Sequence, residues 1–500
     1  LSNTDNIRHI NWDNLYMINR NQPVNPNYGD GHRSINMVEE RHTDQMDWNF
    51  YTQFSHLFKN NSKLNGGMNI RRNRTEYYSK VKDLLGGDYW VDIDKFAERD
   101  LGIDIISYQN NMDYYEKYGK APIVREGDKY SYDYYGNVFN TRGWLQYDFN
   151  LLHNLQVKLG GEIGYAFLWR DGIWKKGLFM DNSQTLNYLT YKAKANFRYV
   201  LSSAHNFEAN IIYMQDAPSF QSAFVSPRTR NDVTPGVEAE KIFGVDASYN
   251  LRIGDFKARI SGYYTTFKDQ TKVISYYDDV EATFSNFAMS GINKQHFGLE
   301  VAASIPLYEG LALKGALSWG QYTYSNNPNY VQIQDNSAAI INQGKVYWKN
   351  KRVESTPQTA ANIGLSYRSR NNWFLSLDMN YYNNMYLSMS PLYRTDAVLT
   401  KPMLENPEML NAIRGQEKFD AAYVMNASIG KNWYINRAYT LGFSLSVDNL
   451  LNNQGIKTGG YEQIRLLKNK EESTLTYEPF DAKYFYMFGT NYYLNVYFRF

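Results

Sequence analysis

The sequence predicts an all-β fold, a transmembrane antiparallel β-barrel of about sixteen strands. Three observations carry that expectation. From Tyr492 onward, Tyr492, Leu494, Val496, Phe498 and Phe500 alternate with Tyr493, Asn495, Tyr497 and Arg499. That two-residue period, one face apolar and one wet, is a strand's and not a helix's. Tyrosine supplies 45 residues and aromatics 16% of the chain, yet mean hydropathy is −0.59. The pairing suits a wet lumen and loops with aromatic girdles at the lipid edges. Finally, no run reaches the roughly eighteen apolar residues of a membrane-crossing helix. Because lipid leaves backbone polar groups without partners, a closed barrel is the remaining way to span.

Composition narrows the reading further. No composition shift, Pro/Gly/Ser linker or charge block divides the 500 residues, so one architecture is expected throughout. Cysteine is absent, which excludes a disulfide framework and thiolate chemistry. The formal charge of +2, with no basic face, argues against nucleic acid. The opening LSNTDNIRHI lacks a charged segment followed by an apolar one. A protein of the outer membrane needs such a leader, so residue 1 is not expected to be the biological N-terminus.

The repeating unit is a strand, a short polar turn, a strand and a long polar loop. Leu155, Val157, Leu159, Ile163, Tyr165, Phe167 and Trp169 share one face, opposite Gln156, Lys158, Glu162 and Arg170. Before the turn at His153 and Asn154, Leu145, Tyr147, Phe149 and Leu151 alternate with Gln146, Asp148 and Asn150. So many charges on one strand face would be intolerable in a dry core, so that face is wet. The same grammar marks strands at 8–19, 46–59, 64–78, 139–151, 155–169, 187–201, 206–216, 239–252, 256–268, 289–305, 311–325, 354–368, 373–388, 419–433, 439–449 and 485–500. Short turns at 60–63, 152–154, 202–205, 253–255, 308–310, 369–372 and 434–438 alternate with long loops at 20–45, 79–138, 170–186, 217–238, 269–288, 326–353, 389–418 and 450–484. Long loops at one end only are the habit of outer-membrane barrels. On this count the first strand runs outward and the last inward.

Several segments resemble the C-terminal half of a TonB-dependent outer-membrane receptor. They are Pro235–Glu238 leading through Val245–Tyr249 to Tyr263 and Phe267; Gly298–Leu299–Glu300 after Asn293 and Lys294; and Ser355–Thr356–Pro357 leading to Gly364–Tyr367 and Trp373. Ser446–Asn452, then Gly459–Glu462 and the terminal Phe strand, complete the order over residues 235–500. The ending (Lys483, Tyr484, Gly489, Tyr493, Leu494) is similar to the peptide-regulatory-domain-bearing receptors common in Bacteroidetes, not to the glycan-importing SusC branch, so no SusD-type lid is inferred.

The resemblance implies import of a scarce nutrient, with ligand captured by outer loops and a plug pulled by TonB. It also implies outer-membrane lipids and lipopolysaccharide around the wall, and a siderophore, cobalamin, peptide or glycan as ligand. A surface lipoprotein is an optional further partner. Neither the family's energy-coupling box nor its plug is visible here. Transporters of this size class have about 22 strands around a plugged lumen, so sixteen leave about six to be supplied. The chain then reads, over 1–500, as the C-terminal portion of the barrel. A complete sixteen-stranded porin and a surface receptor or adhesin without transport stay open beside it.

Chemistry is sparse. His9, His32, His42, His56, His153, His205 and His296 show no metal-ligand spacing. The acids Asp92, Asp94, Glu98, Asp100 and Asp104 would suit calcium by type, but lack the glycine-bearing loop of an EF-hand, so a short helix with a solvated face is expected. No Ser-His-Asp arrangement, nucleophile elbow or phosphate loop stands out, so no catalytic residue, metal or cofactor is assigned.

The loop 79–138 is long enough to be functional and rich in tyrosine, whose rigid ring and hydroxyl suit ligand capture. Its candidate contacts are Tyr89, Trp90, Tyr114, Tyr115, Tyr118, Tyr134 and Tyr135. Strand parity near the outer rim adds Arg142, Trp144, Arg170, Tyr381 and Tyr382 as lumen-facing candidates.

Overall fold

The apolar–polar alternation is realised as fifteen long antiparallel staves, each paired with its neighbour in sequence. They are β1 (Val38–Leu57), β2 (Lys63–Asp83), β3 (Lys129–Leu152), β4 (Leu155–Gly172), β5 (Leu186–Val200), β6 (His205–Asp216), β7 (Glu240–Ile253), β8 (Phe256–Asp278), β9 (Thr283–Tyr308), β10 (Leu311–Tyr324), β11 (Thr359–Arg368), β12 (Trp373–Asn383), β13 (Ala422–Ile435), β14 (Tyr439–Asp448) and β15 (Asn491–Arg499). Two short strands complete a seventeen-stranded sheet: Asn329–Gln334 pairs onto the outer part of β9, and Ile340–Lys345 pairs onto Asn329–Gln334. The structure is a computed structural model describing residues 10–101, 106, 108–176, 181–354, 356–436, 438–471 and 474–500.

Register makes the two faces of the wall explicit. Asp148, Lys158, Asn196, Asn210 and Asp246 are successive Cα partners across five staves. Asn196 donates to Asn210 at 2.7 Å, and Asn210 donates to Asp246 at 2.7 Å. One residue along, Tyr147, Leu159, Ala195, Ile211 and Val245 form the neighbouring row on the opposite face. That face stays uncovered, with Ile163 and Leu494 each 62% exposed. A continuous apolar surface of this extent has hydrocarbon as its natural solvent. Buried apolar side chains gather instead among the long connections. The largest cluster joins Tyr276, Phe287 and Met289 at the tips of β8 and β9 to Trp348, Tyr393, Met403 and Leu466 from the later loops.

Short turns close the other end. At the β9–β10 turn Gly310 has φ +77°, and a Cβ there would meet the Arg368 carbonyl oxygen at 2.1 Å, so only glycine fits.

Three sequence expectations change. Residues 8–19 are not a strand: 1–9 lie outside the described residues, and Trp12–Arg20 is helix α1, with Asn11 accepting from the Asn14 amide at 3.0 Å. Trp12, Leu15 and Tyr16 satisfy the helical period as well as Ile10, Trp12, Tyr16 and Ile18 satisfy the strand's. The long loop at 269–288 is largely strand and that at 79–138 is shortened at both ends, because β2, β3, β8 and β9 run on past the length a bilayer needs; only 279–282 turns between the last two. With fifteen staves, β1 and β15 both run from the long-loop end to the short-turn end.

Candidate ligand-binding mouth

At the long-loop end β2 and β3 place Tyr77 and Tyr134 directly opposite each other on the lumen face. Their rings stack 5.0 Å apart at 17°. Helix α2 (Lys95–Leu101), helix α3 (Met112–Tyr118) and helix α4 (Phe220–Ala223) sit in the loops above. Phe220 of α4 lies parallel to Tyr77 at 6.4 Å. It comes this close because position 136 is glycine: a Cβ there would sit 2.9 Å from the Phe220 ring. Tyr132 tilts against Tyr134 at 6.2 Å. Two guanidinium groups complete the ladder, Arg170 over Tyr134 at 4.8 Å and Arg228 over Tyr132 at 5.7 Å.

The two cations differ in availability. Arg170 is buried, donating Nε to the Pro227 carbonyl at 2.6 Å and Nη1 to the Asp181 carbonyl. Burial lowers its pKa to about 10, which still leaves a cation at neutral pH. Burial pushes the Tyr134 phenol up, so that ring stays neutral. Arg228 is exposed, and Tyr77, Tyr132 and Phe220 are half-buried, so these four present an open aromatic and cationic surface around the Tyr134–Arg170 anchor.

Deeper on the wall Arg142 donates to Asp216 at 2.8 Å and lies 3.6 Å from Glu162, which Lys192 approaches at 4.0 Å. Trp144 stands beside this network, lining with Glu162, Lys192 and Lys194 a wall hollow of about 300 Å³. Both residues face the lumen as parity predicted.

The remaining candidates disperse. Tyr89 is 2% exposed in a loop core with Val91, Ile93 and Ala121. Trp90 packs beside Val81, Leu84 and Tyr130 under the Lys95 ammonium at 4.2 Å. Tyr114 and Tyr118 pair at 4.4 Å on α3, with Tyr118 exposed and Tyr115 half-buried. Tyr135 points to the opposite face from Tyr134 and carries Arg74 on its ring at 3.7 Å. Tyr381 is a correction: neighbours on a strand cannot share a face, and it lies outside against exposed Tyr423 at 5.0 Å. Tyr382 faces the lumen, lining a hollow with Arg259, Glu300 and Asn362.

The acidic run is also not a solvated face throughout. Asp92 is buried, accepting from Asn110 at 2.7 Å and the Ser131 amide at 2.9 Å. Asp94 caps α2 through the Ala97 amide and pairs with Lys176 at 2.9 Å. Although burial opposes it, Lys176 and the capped amides hold Asp94 below the usual carboxylate range. Both carboxylates are thus committed to the loop's own structure. Asp104 lies outside the described residues.

The candidate contacts left out Tyr77, Tyr132, Phe220 and Arg228. Tyr132 had a signal as a tyrosine of the 79–138 loop, and Tyr77 as an inward residue of a strand whose partner was a candidate.

Comparison with known proteins places this geometry. The family described as TonB dependent receptor-like, beta-barrel matches residues 2–450. No curated protein matches the chain. Among solved structures, the ferric citrate transporter FecA superposes with TM-score 0.53 at 11% identity, over 91% of this chain and 55% of its own. The copper transporter OprC gives 0.56 at 13%, over 92% and 59%. The ferric yersiniabactin uptake receptor FyuA from Yersinia pestis gives 0.52 at 12%, over 92% and 54%. At these identities the likeness is one of fold, and the chain spans little more than half of each. The chain belongs to the TonB-dependent receptor-like β-barrel family.

Proposed function

We propose that this chain is the ligand-capturing, wall-forming part of a TonB-dependent importer that takes a scarce nutrient across the outer membrane. Its location in that membrane follows from the family, whose members are transporters rather than enzymes. The observation that carries the reading is the ladder of Tyr132, Tyr134, Tyr77 and Phe220 with Arg170 and Arg228, set at the outer end of a continuous wet wall. Rigid rings with cations on their faces suit a planar or anionic ligand.

The finer steps belong to the same proposal. Outer loops bind ligand, TonB pulls on a plug supplied by sequence outside these residues, and the freed lumen passes the ligand inward. The unpaired edges of β1 and β15 accept an odd number of further strands, and seven would complete a barrel of about 22. The dry faces then meet outer-membrane lipid and lipopolysaccharide.

A deletion strain grown on single sources of chelated iron, chelated copper, cobalamin, peptide and glycan tests this reading. Growth should fail on one source, and only when TonB is intact in the parent. Paired Tyr132→Ala and Arg228→Gln should weaken binding of that ligand by about tenfold. Equal growth on every source, or binding without TonB-dependent uptake, would replace import with a passive channel or a plain receptor.

A further inference from the structure

Some lumen-facing cations of this wall are matched. Arg71 pairs with Asp47, and Arg142 with Asp216 and Glu162. Near the short-turn end of β7 to β10, cations instead crowd together. Arg252 and Lys257 are Cα partners, Lys257 is also partnered by Ser304, and Ser304 by Lys314. Three cations therefore share one wet row, two of them directly opposite. Like charges so placed repel and cost stability.

One rung toward the mouth, Arg259 stands between Asn250 and Ala302, held by the hydroxyls of Ser248 at 3.0 Å and Ser261 at 2.9 Å. Arg198 closes the side, with Glu208 at 3.7 Å. Two further acids share this face: Glu300, opposite Ser261 one rung beyond Arg259, and Asp378, which leans over Gly364, the partner of Lys314. Among the described residues, Arg252, Lys257 and Lys314 have no carboxylate within 4.0 Å. Below these heads the wall residues are small, Ala302, Ser304 and Ala316, leaving a hollow of about 780 Å³.

We propose that this hollow is a binding site for a small solute bearing two or more negative charges, separate from the mouth. Lysine ammonium groups and an arginine fork converging on one depression are what carboxylate or phosphate oxygens require. Asn206, Asn250 and Asn362 supply neutral donors around them. The volume is that of a small-molecule site, and a depression of this kind favours a compact solute over the flat acidic face of a protein. An occupant would relieve the repulsion between Arg252 and Lys257, so the unpaired row has a physical purpose. On the import reading, the site is a station on the inner half of the route. Binding itself does not require import, so the two claims fail separately.

The test is calorimetry on the intact protein in detergent at low salt, where charge is least screened. Inorganic pyrophosphate and propane-1,2,3-tricarboxylate are titrated separately. Each should bind saturably at one site, and the double variant K257Q/K314Q should weaken both by about tenfold or more. The control K63Q/K158Q removes two lumen-facing lysines of β2 and β4 outside the hollow and should bind as the parent does. Heat-modified gel mobility confirms that both variants fold. Three results would overturn the proposal: no saturable binding of either anion to the parent, equal weakening in the control, or capture of an acidic peptide where neither small anion binds.

Discussion

Arg394 is fully buried and holds the loop cap together through one side chain. It donates to Glu462 at 2.8 Å, to the Ser390 carbonyl at 2.9 Å and to the Gly415 carbonyl. Removing it strands the Glu462 carboxylate, a loss of about 3–5 kcal/mol for a buried pair broken on one side. Arg394→Leu should therefore open the 384–421 and 449–490 loops to protease while the barrel still runs as a folded band; unchanged cleavage would show the pair to be idle. Asp92 gives a pH signature. Burial, opposed by Asn110, the Ser131 amide and Lys176, pushes its carboxyl up to about 6 from 3.8. A raised acid favours the folded loop most below its unfolded value, and that contribution is lost as pH rises through about 6. Amide exchange in residues 84–128 should be slower at pH 5 than at pH 7.5 after correction for intrinsic rates, and Asp92→Asn should remove the difference. A difference that survived Asp92→Asn would place the titration elsewhere.

At the scale of single elements the wall is an alternation that substitution can probe directly. In β15, Leu494 opposes Leu445 on the dry face and Asn495 opposes Ser444 on the wet face. Arginine facing lipid near the bilayer midplane costs about 2–4 kcal/mol. Leu494→Arg should lower the urea midpoint of the folded barrel, whereas Asn495→Arg should leave it nearly unchanged; equal effects would erase the distinction between faces. The same alternation located all fifteen staves, though it stopped β1, β3, β8 and β9 short where they run on toward the loops, and it placed Arg142 and Trp144 on the lumen side. It misled where two periods fitted one segment, as in α1, and where alternation continued into loop strands. Phe485 and Tyr486 read as the start of β15 but pair with Gly459 and Lys457 instead. The Tyr77–Tyr134 contact depends on a register set by the whole β2–β3 ladder, and Phe220 and Arg228 arrive from a separate loop. No local pattern announces such meetings.

For the whole molecule, the central claim is that one face of every stave meets lipid and the other encloses a wet passage. The sequence carries no cysteine, so single cysteines can be introduced one at a time without background. The direct measurement is labelling of Leu159, Ile163, Tyr165, Lys158, Glu162 and Lys192, each changed to Cys, in protein reconstituted into bilayers. A lipid-dissolved quencher should reach fluorophores at 159, 163 and 165 but not at 158, 162 and 192, and water-borne maleimide should show the reverse preference. Quenching that ignored parity along β4, or aqueous labelling equal at all six positions, would contradict the account.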